Sequence, residues 1–123
     1  MEIPLFDNGD RPPQPREEIR IEALRATPYP DRFRIFLEVA VTPFLERPNL
    51  LLVVRDTEGA LIGELSIIET MHANMEFTMH IRNREDPAGN YEAEAILFYE
   101  TRNPPQDRET AAFTIPAVDE SNE

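Results

Sequence analysis

The chain has 123 residues and a formal net charge of −12, from 24 acidic and 12 basic residues. This length suits one domain with its own hydrophobic core. Cysteine is absent and every basic residue is arginine, which excludes disulfides, thiolate metal sites, cysteine nucleophiles and lysine chemistry. The negative charge disfavours nucleic acid and membrane surfaces as partners, because affinity for both depends on clustered positive charge.

The ends of the chain differ in composition from its middle. Residues 1–16 contain a proline cluster and predict an extended proline-rich N-terminal arm, whereas residues 117–123 are an acidic C-terminal tail. Residues 17–116 form the predicted β-sandwich domain. The first residues lack the basic and long apolar segments of a secretory signal, so we expect a cytoplasmic protein if Met1 is the native start. No stretch approaches the ~20 apolar residues that would span a bilayer.

The first two predicted strands follow the arm. Ile19 to Ala26 opens the set, with a helix over Glu17 to Ala26 as the alternative interpretation. Arg32 to Thr42 alternates between apolar and polar residues, which indicates a strand with one face on a core and one nearer water. The apolar face of this strand holds Phe33, Ile35, Leu37, Val39 and Val41.

The next two predicted strands form a hairpin. Leu50 to Val54 is apolar throughout and predicts a central strand that is covered on both sides. It continues into the strand Ala60 to Glu69 through a short loop, where Gly59 supplies the residue with positive φ.

Three more predicted strands complete the set. They are Met75 to Ile81, Tyr91 to Tyr99 and Thr110 to Ile115, and the first two show the same alternation. Seven strands separated by Pro, Gly, Asn and Asp turns, with almost no helical periodicity, favour a sandwich or a barrel.

The approach to the sixth strand carries a family resemblance. Asp86 to Tyr91, followed by alternating Ala93, Ala95 and Leu97, resembles the start of strand F in immunoglobulin-like sandwiches, where a tyrosine hydroxyl caps the E–F corner. The hairpin Val53 to Gly59 is similar to one in bacterial immunoglobulin-like and macroglobulin-type domains. The family's intersheet cysteines and core tryptophan are missing here. The resemblance implies an all-β fold, a single antiparallel β-sandwich of about seven strands of immunoglobulin-like type, and it implies no function.

The loops should gather at two poles, because consecutive antiparallel strands reverse direction. One pole would combine loops 27–31, 56–59 and 82–90, whose carboxylates suggest a calcium site as one hypothesis. The chain has no Asp-x-Asp-x-Asp loop, and Arg82 and Arg84 lie among these acids, so neutralisation by arginine is the alternative. The acidic residues at this pole are Asp31, Asp56, Glu58, Glu85 and Asp86.

The opposite pole should carry a partner contact. It would combine the loops 42–49, 70–73 and 101–107. In the first of these, two large apolar residues stand between two prolines, and a rigid apolar loop is typical of a protein-binding anchor. We therefore predict partner contacts at Phe44, Leu45 and Met71. In the alternative interpretation, the loop folds over the end of the core and Phe44 plugs it.

Catalytic chemistry finds little support in the residue inventory. His72, in a turn, could pair with a carboxylate as an acid–base couple, but no nucleophile is recognisable beside it; Ser66 lies in a strand and His80 on a polar strand face. Glu92 and Glu94 are spaced like a glycosidase pair, but a solvated acidic face is the explanation that we favour for them. We expect no catalytic, metal or cofactor residues and therefore no enzyme.

Three classes of function remain. The first and favoured one is a non-catalytic interaction or assembly module that binds a protein partner or forms a homodimer, for instance through edge strands. The second is a ligand-binding or inhibitory sandwich that uses the loops of one pole, including a calcium-dependent form. The third is an enzyme, which a deep pocket around His72 would support.

Overall fold

The computed structural model describes residues 11–82 and 84–118, which form seven β-strands and one short 3₁₀ helix. The 3₁₀ helix, Arg16–Glu18, precedes the first strand. The strands are β1 (Ile21–Pro28), β2 (Arg34–Val41), β3 (Asn49–Asp56), β4 (Leu61–Ile67), β5 (Asn74–His80), β6 (Gly89–Phe98) and β7 (Asp107–Ile115). No helix in these residues is long and apolar enough to cross a membrane.

The strands form two antiparallel sheets that pack as a sandwich. One sheet has the order β1-β2-β5 and the other the order β4-β3-β6-β7. In a constant-type immunoglobulin domain the fourth strand joins the sheet of the first two. Here β4 pairs with β3 instead, which gives three strands in one sheet and four in the other.

All seven predicted strands are present, so the all-β sandwich of seven antiparallel strands is confirmed. The helical alternative for residues 17–26 is wrong, because β1 pairs with β2 along this segment and only residues 16–18 are helical. The largest difference in bounds is at β7, which begins at Asp107 because Asp107 pairs with Leu97 of β6. The predicted boundaries of arm and tail remain predictions, and residues 1–10 and 119–123 lie outside the described residues.

The core lies between the two sheets and is built from the inward faces of the alternating strands. In β2 the residues Ile35, Leu37, Val39 and Val41 are buried, as their alternation predicts. Phe33 is the exception, since it is exposed. It precedes β2 in a turn where Arg32 has a φ of 71° and the Phe33 N–H donates to the Asp31 carboxylate. The turn takes Phe33 out of the strand's alternation.

The central strand β3 is buried on both faces, as the sequence predicts. Leu50, Leu52 and Val54 point into the core, and Leu51 and Val53 are also buried although they lie on the outer face. On that face Leu51 pairs with Ile96 and Val53 pairs with Glu94 of the neighbouring strand β6. Neighbouring residues of β6 therefore help to cover the outer face of β3.

The corner before β6 is held by Tyr91. Its hydroxyl donates a hydrogen bond of 2.5 Å to the Pro87 carbonyl, and its ring stacks on Phe113 with the centroids 5.4 Å apart. Both Tyr91 and Pro87 are buried. The tyrosine contact that the resemblance implies is therefore present, and Ala93 stands two residues later, where immunoglobulin domains have a cysteine.

The predicted β3–β4 hairpin is confirmed as well. Gly59 has a φ of 85° and its N–H donates to the Asp56 carbonyl. The Asp56 carboxylate accepts hydrogen bonds from the N–H groups of Glu58 and Ala60, at 3.0 and 2.8 Å. The aspartate therefore closes the loop from one side while glycine provides the left-handed backbone.

Candidate functional site

Three loops and the segment before β1 meet at one end of the sandwich, as the strand directions predict. The loops are residues 42–48, 68–73 and 99–106. The Thr70 N–H donates to the Pro48 carbonyl at 2.9 Å, so the first two loops are joined directly. We call this end the apolar pole and define it by Phe44, Leu45, Ile68 and Met71.

The loop 42–48 has its backbone fixed from several sides. Gln14, before β1, forms an isolated parallel bridge with Phe44. The Gln14 N–H donates to the Pro43 carbonyl at 2.8 Å, and the Leu45 N–H donates to the Gln14 carbonyl at 2.9 Å. On the other side the Tyr99 hydroxyl donates to the Glu46 carbonyl at 2.9 Å. The loop thus presents its side chains from a backbone that is already ordered.

The three predicted contact residues lie at this pole but in different environments. Leu45 and Met71 are 69% and 66% exposed. Phe44 is half-buried and packs against the core, so the alternative interpretation, in which it plugs the end of the core, describes its position. Phe44 and Met71 line the same shallow cleft of 200 Å³, together with Arg11 and Pro13, whereas Leu45 does not line it.

Sequence reasoning missed one residue of this surface. Ile68 is 68% exposed and follows the end of β4, whereas the predicted strand extended to Glu69. Ile67 packs against the core, so the next residue along the chain must leave it. The adjacent pair Ile67-Ile68 was the available signal, because two consecutive residues of a strand cannot both face the core.

A cluster of charged groups lies beside Leu45 of the apolar pole. The Arg16 guanidinium pairs with Glu46 and, at 3.2 Å, with Glu100, and it lies 4.5 Å from the centre of the Tyr99 ring. The hydrogen bond from Arg16 lowers the pKa of the Glu46 carboxyl. Burial, followed by the nearby Glu46 charge, raises the pKa of the Tyr99 hydroxyl. These contacts hold the rim of the pole and leave Leu45 and Met71 exposed.

At the opposite pole, three of the predicted acidic side chains, Asp31, Asp56 and Asp86, are engaged by arginine and by backbone N–H groups. Backbone hydrogen bonds, followed by the arginine partners, lower the pKa values of Asp31, Asp56 and Asp86. No group of three metal-ligating side chains occurs within residues 11–82 and 84–118. Arginine thus neutralises these three aspartates, although of the two arginines that the sequence indicated only Arg84 is a partner, and Arg32 and Arg34 are the others. Their ion pairs are Asp31–Arg34, Asp56–Arg84 and Asp86–Arg32.

The residues considered for acid–base chemistry are not assembled into a site. His72, His80 and Ser66 are all exposed. In the part of the chain that the structure describes, neither imidazole forms an ion pair or hydrogen bond with a carboxylate. The His72 backbone instead takes part in the turn made by Thr70, whose hydroxyl donates to the His72 carbonyl at 3.1 Å.

The expectation of a solvated acidic face is wrong for Glu94. This residue is 8% exposed, because its strand runs between β3 and β7 and each of them contributes an arginine. Arg55 donates to one carboxylate oxygen at 3.2 Å and Arg108 to the other at 2.8 Å. Glu92, two residues earlier, is exposed. The two glutamates therefore have different roles, and Glu94 is held as a structural ion pair.

Comparison with known proteins finds the fold in much longer chains. No protein-family model and no curated protein matches this sequence. A Bifidobacterium dentium β-glucuronidase complexed with coumarin-3-O-glucuronide has 19% identity and a TM-score of 0.54, over 79% of this chain and 18% of that one. A Parabacteroides merdae β-glucuronidase has 11% identity and a TM-score of 0.57, over 79% and 13%. A glycosyl hydrolase family 2 member from Bacteroides cellulosilyticus has 11% identity and a TM-score of 0.54, over 79% and 14%.

At these identities the likeness shows a common fold and nothing more. It is compatible with the immunoglobulin-like resemblance at the level of the fold. This chain spans less than one fifth of each of the three glycosidase chains. The matching part in those proteins is a small β-sandwich.

Proposed function

We propose that this chain is a non-catalytic protein-interaction or assembly module that binds its partner, a second protein or a second copy of itself, through the apolar pole. The observation that carries this proposal is the exposure of apolar side chains on fixed loops. Six large hydrophobic side chains are exposed among the described residues. Three of them, Leu45, Ile68 and Met71, lie at this one pole.

The energetics favour this surface as a contact. Full burial of a leucine, isoleucine or methionine side chain is worth about 1.5–3 kcal/mol. The backbone bonds from Gln14 to the loop 42–48 exist before binding, so little backbone ordering would oppose association. Exposed apolar anchors with a charged rim are typical of interface centres.

A catalytic role has less support. Both histidines are exposed, and the buried Glu94 is paired with two arginines. Neither arrangement provides a general acid or base beside a nucleophile. The net charge of −12 supports a protein partner over nucleic acid or an anionic membrane.

The test is capture of partners with the tagged full-length chain, with mass spectrometry and sedimentation of the purified protein. The decisive variant is Leu45→Asp with Met71→Asp, and the matched control is Leu61→Asp, which changes a leucine of β4 that is 55% exposed and lies outside the pole. We expect a stoichiometric partner, or a dimer, that is lost in the pole variant and kept in the control. Phe44 is left intact because it packs against the core.

Two results would contradict the proposal. One is a partner or dimer that persists at unchanged stoichiometry in the pole variant. The other is a wild-type chain that remains a monomer and captures the same proteins as both variants. Each would move the function away from the apolar pole.

A further inference from the structure

Of the predicted N-terminal arm, residues 11–15 are described and precede the 3₁₀ helix. From here on the arm means these five residues, which lie along the loop 42–48 like a bound peptide. The bridge of Gln14 to Phe44 pairs the arm with the loop in parallel. At the start of the arm, Arg11 reaches back to β1 and donates to both carboxylate oxygens of Glu22, at 2.9 and 2.7 Å. The arm is therefore held by one charged contact and a short backbone bridge. A protein–peptide complex of the extended type uses the same two kinds of contact.

The contacts that anchor the chain to the sandwich begin after the arm. Its three prolines, Pro12, Pro13 and Pro15, are exposed, so it buries little apolar surface. Directly after the arm, the Gln106 side-chain amide donates to the carbonyls of Arg16 and Ile19, at 2.7 and 2.8 Å. Ile19 itself is fully buried. The chain is anchored from residue 16 onward, and the junction at Pro15–Arg16 separates the arm from the anchor.

The surface beneath the arm has a defined chemistry. Without the arm, the Pro43 carbonyl and the Leu45 N–H lose their backbone partners, and Glu22 loses its counter-ion. The cleft of 200 Å³ loses the wall made by Arg11 and Pro13. The backbone of an extended peptide would pair with the Pro43 carbonyl and the Leu45 N–H, and a cationic side chain would pair with the Glu22 carboxylate. Prolines in that peptide would favour the extended conformation before binding. The acidic chain would also attract a basic segment.

We propose that this surface, made of Glu22 and the backbone of Pro43 to Leu45, is a binding site for an extended segment of a partner protein in which an arginine precedes a run of prolines. The arm occupies the site as an intramolecular competitor. This inference goes beyond the apolar pole, because the recognising groups are Glu22 and the loop backbone and not the side chains of Leu45 and Ile68.

The test uses full-length chains and a labelled, end-capped peptide with the sequence of residues 11–15, Arg-Pro-Pro-Gln-Pro, followed by fluorescence anisotropy. In Arg11→Glu the arm is repelled by Glu22 while the site is intact. If the wild-type site is filled by its own arm about nine-tenths of the time, this variant binds the peptide about tenfold more tightly than wild type. The variant Glu22→Arg should not bind the peptide. It should bind a matched peptide that begins with glutamate.

Several outcomes would overturn the inference. Equal affinity of wild type and Arg11→Glu for the peptide would show that the arm does not compete, and failure of Arg11→Glu to bind would show that the surface is no peptide site. Arg11 and Glu22 are both exposed at the surface, and thermal unfolding checks that the variants remain folded. Sedimentation of the wild-type chain from micromolar to millimolar concentration distinguishes a segment of a partner protein from the arm of a second copy. A dimer that Arg11→Glu abolishes would assign the site to a second copy instead of a partner protein. The proposed function is tested separately, since neither Arg11→Glu nor Glu22→Arg alters Leu45 or Met71.

Discussion

Replacing Tyr91 by phenylalanine isolates the contribution of one hydroxyl to the fold. The hydroxyl donates to the Pro87 carbonyl at 2.5 Å, and the tyrosine is 3% exposed. The ring keeps its stacking on Phe113 in the variant, so the change removes one donor and leaves the packing intact. Because Pro87 is buried, water does not readily replace the lost donor. A buried carbonyl without a partner costs about 1–3 kcal/mol.

The assay is urea unfolding with a matched control. An m value of about 1–3 kcal/mol/M is typical of small proteins, so a loss of about 2 kcal/mol lowers the midpoint by roughly 1 M. The control is Tyr99→Phe, which also removes a hydroxyl that donates to a carbonyl, that of Glu46, at 2.9 Å. This carbonyl lies in an exposed residue, where water can take the place of the hydroxyl. We expect a change within about 0.5 kcal/mol for the control.

The reasoning about the corner is refuted if Tyr91→Phe unfolds at the wild-type midpoint, or if both variants lose the same stability. Either result would mean that the Pro87 carbonyl finds another donor. An altered m value would point instead to a change in the unfolded state or to loss of two-state unfolding.

Two further predictions follow from local contacts. In Gly63→Ala the added methyl would lie 2.5 Å from the Met79 sulfur, so overpacking of about 1–3 kcal/mol outweighs the gain of about 0.5–1 kcal/mol from removing a strand glycine. Urea unfolding should show a net loss near 1 kcal/mol. The same substitution in a Met79→Ala background should be neutral or stabilising, and a loss of equal size there would rule out the contact. The second prediction concerns the loss of stability in acid. Hydrogen bonds from their arginine partners lower the pKa values of the Glu22 and Glu46 carboxyl groups, so the stabilisation from these pairs is complete above the ordinary carboxyl pKa. It is lost as the pH falls through the lowered values, and carboxyl carbon NMR titration should give both midpoints below about 4.3. Midpoints at or above that value would contradict the two ion pairs.

The sequence predicted the features that depend on local pattern. The alternation of Ile35, Leu37 and Val39 assigns one face of β2 to the core, because successive strand residues point to opposite faces. Strand order required more than pattern. The pairing of β4 with β3 could be predicted from their short hairpin. That β4 thereby becomes the fourth strand of the second sheet depends on β6 being the other neighbour of β3. That pairing joins residues about 40 positions apart, such as Val53 and Glu94, and period-2 alternation carries no information about it.

The same limit explains the candidate sites. Leu45 and Met71 could be placed at one pole because an antiparallel count of strands brings their loops together. The burial of Glu94 could not be predicted, since its two arginines come from strands on either side, 39 and 14 positions away in the chain. The position of the arm could not be predicted either, because Arg11 pairs with Glu22 of β1 across the intervening 3₁₀ helix. Side chains that act through distant partners require the fold to be known first.

The arm and the apolar pole meet at Leu45, and this connects the two proposed interactions. The Leu45 N–H donates to the arm, whereas its side chain is exposed at the pole. The cleft under the arm is lined by Phe44 and Met71, which also belong to the pole. Consider a partner that binds the pole more tightly when the arm is displaced. Because coupling between two sites is reciprocal, this partner raises the affinity for the peptide by the same factor by which the peptide raises the affinity for the partner. A partner with equal affinity for both positions of the arm shifts nothing, however tightly it binds. The position of Leu45, with its backbone in one contact and its side chain in the other, is the physical reason to expect that the two sites are coupled.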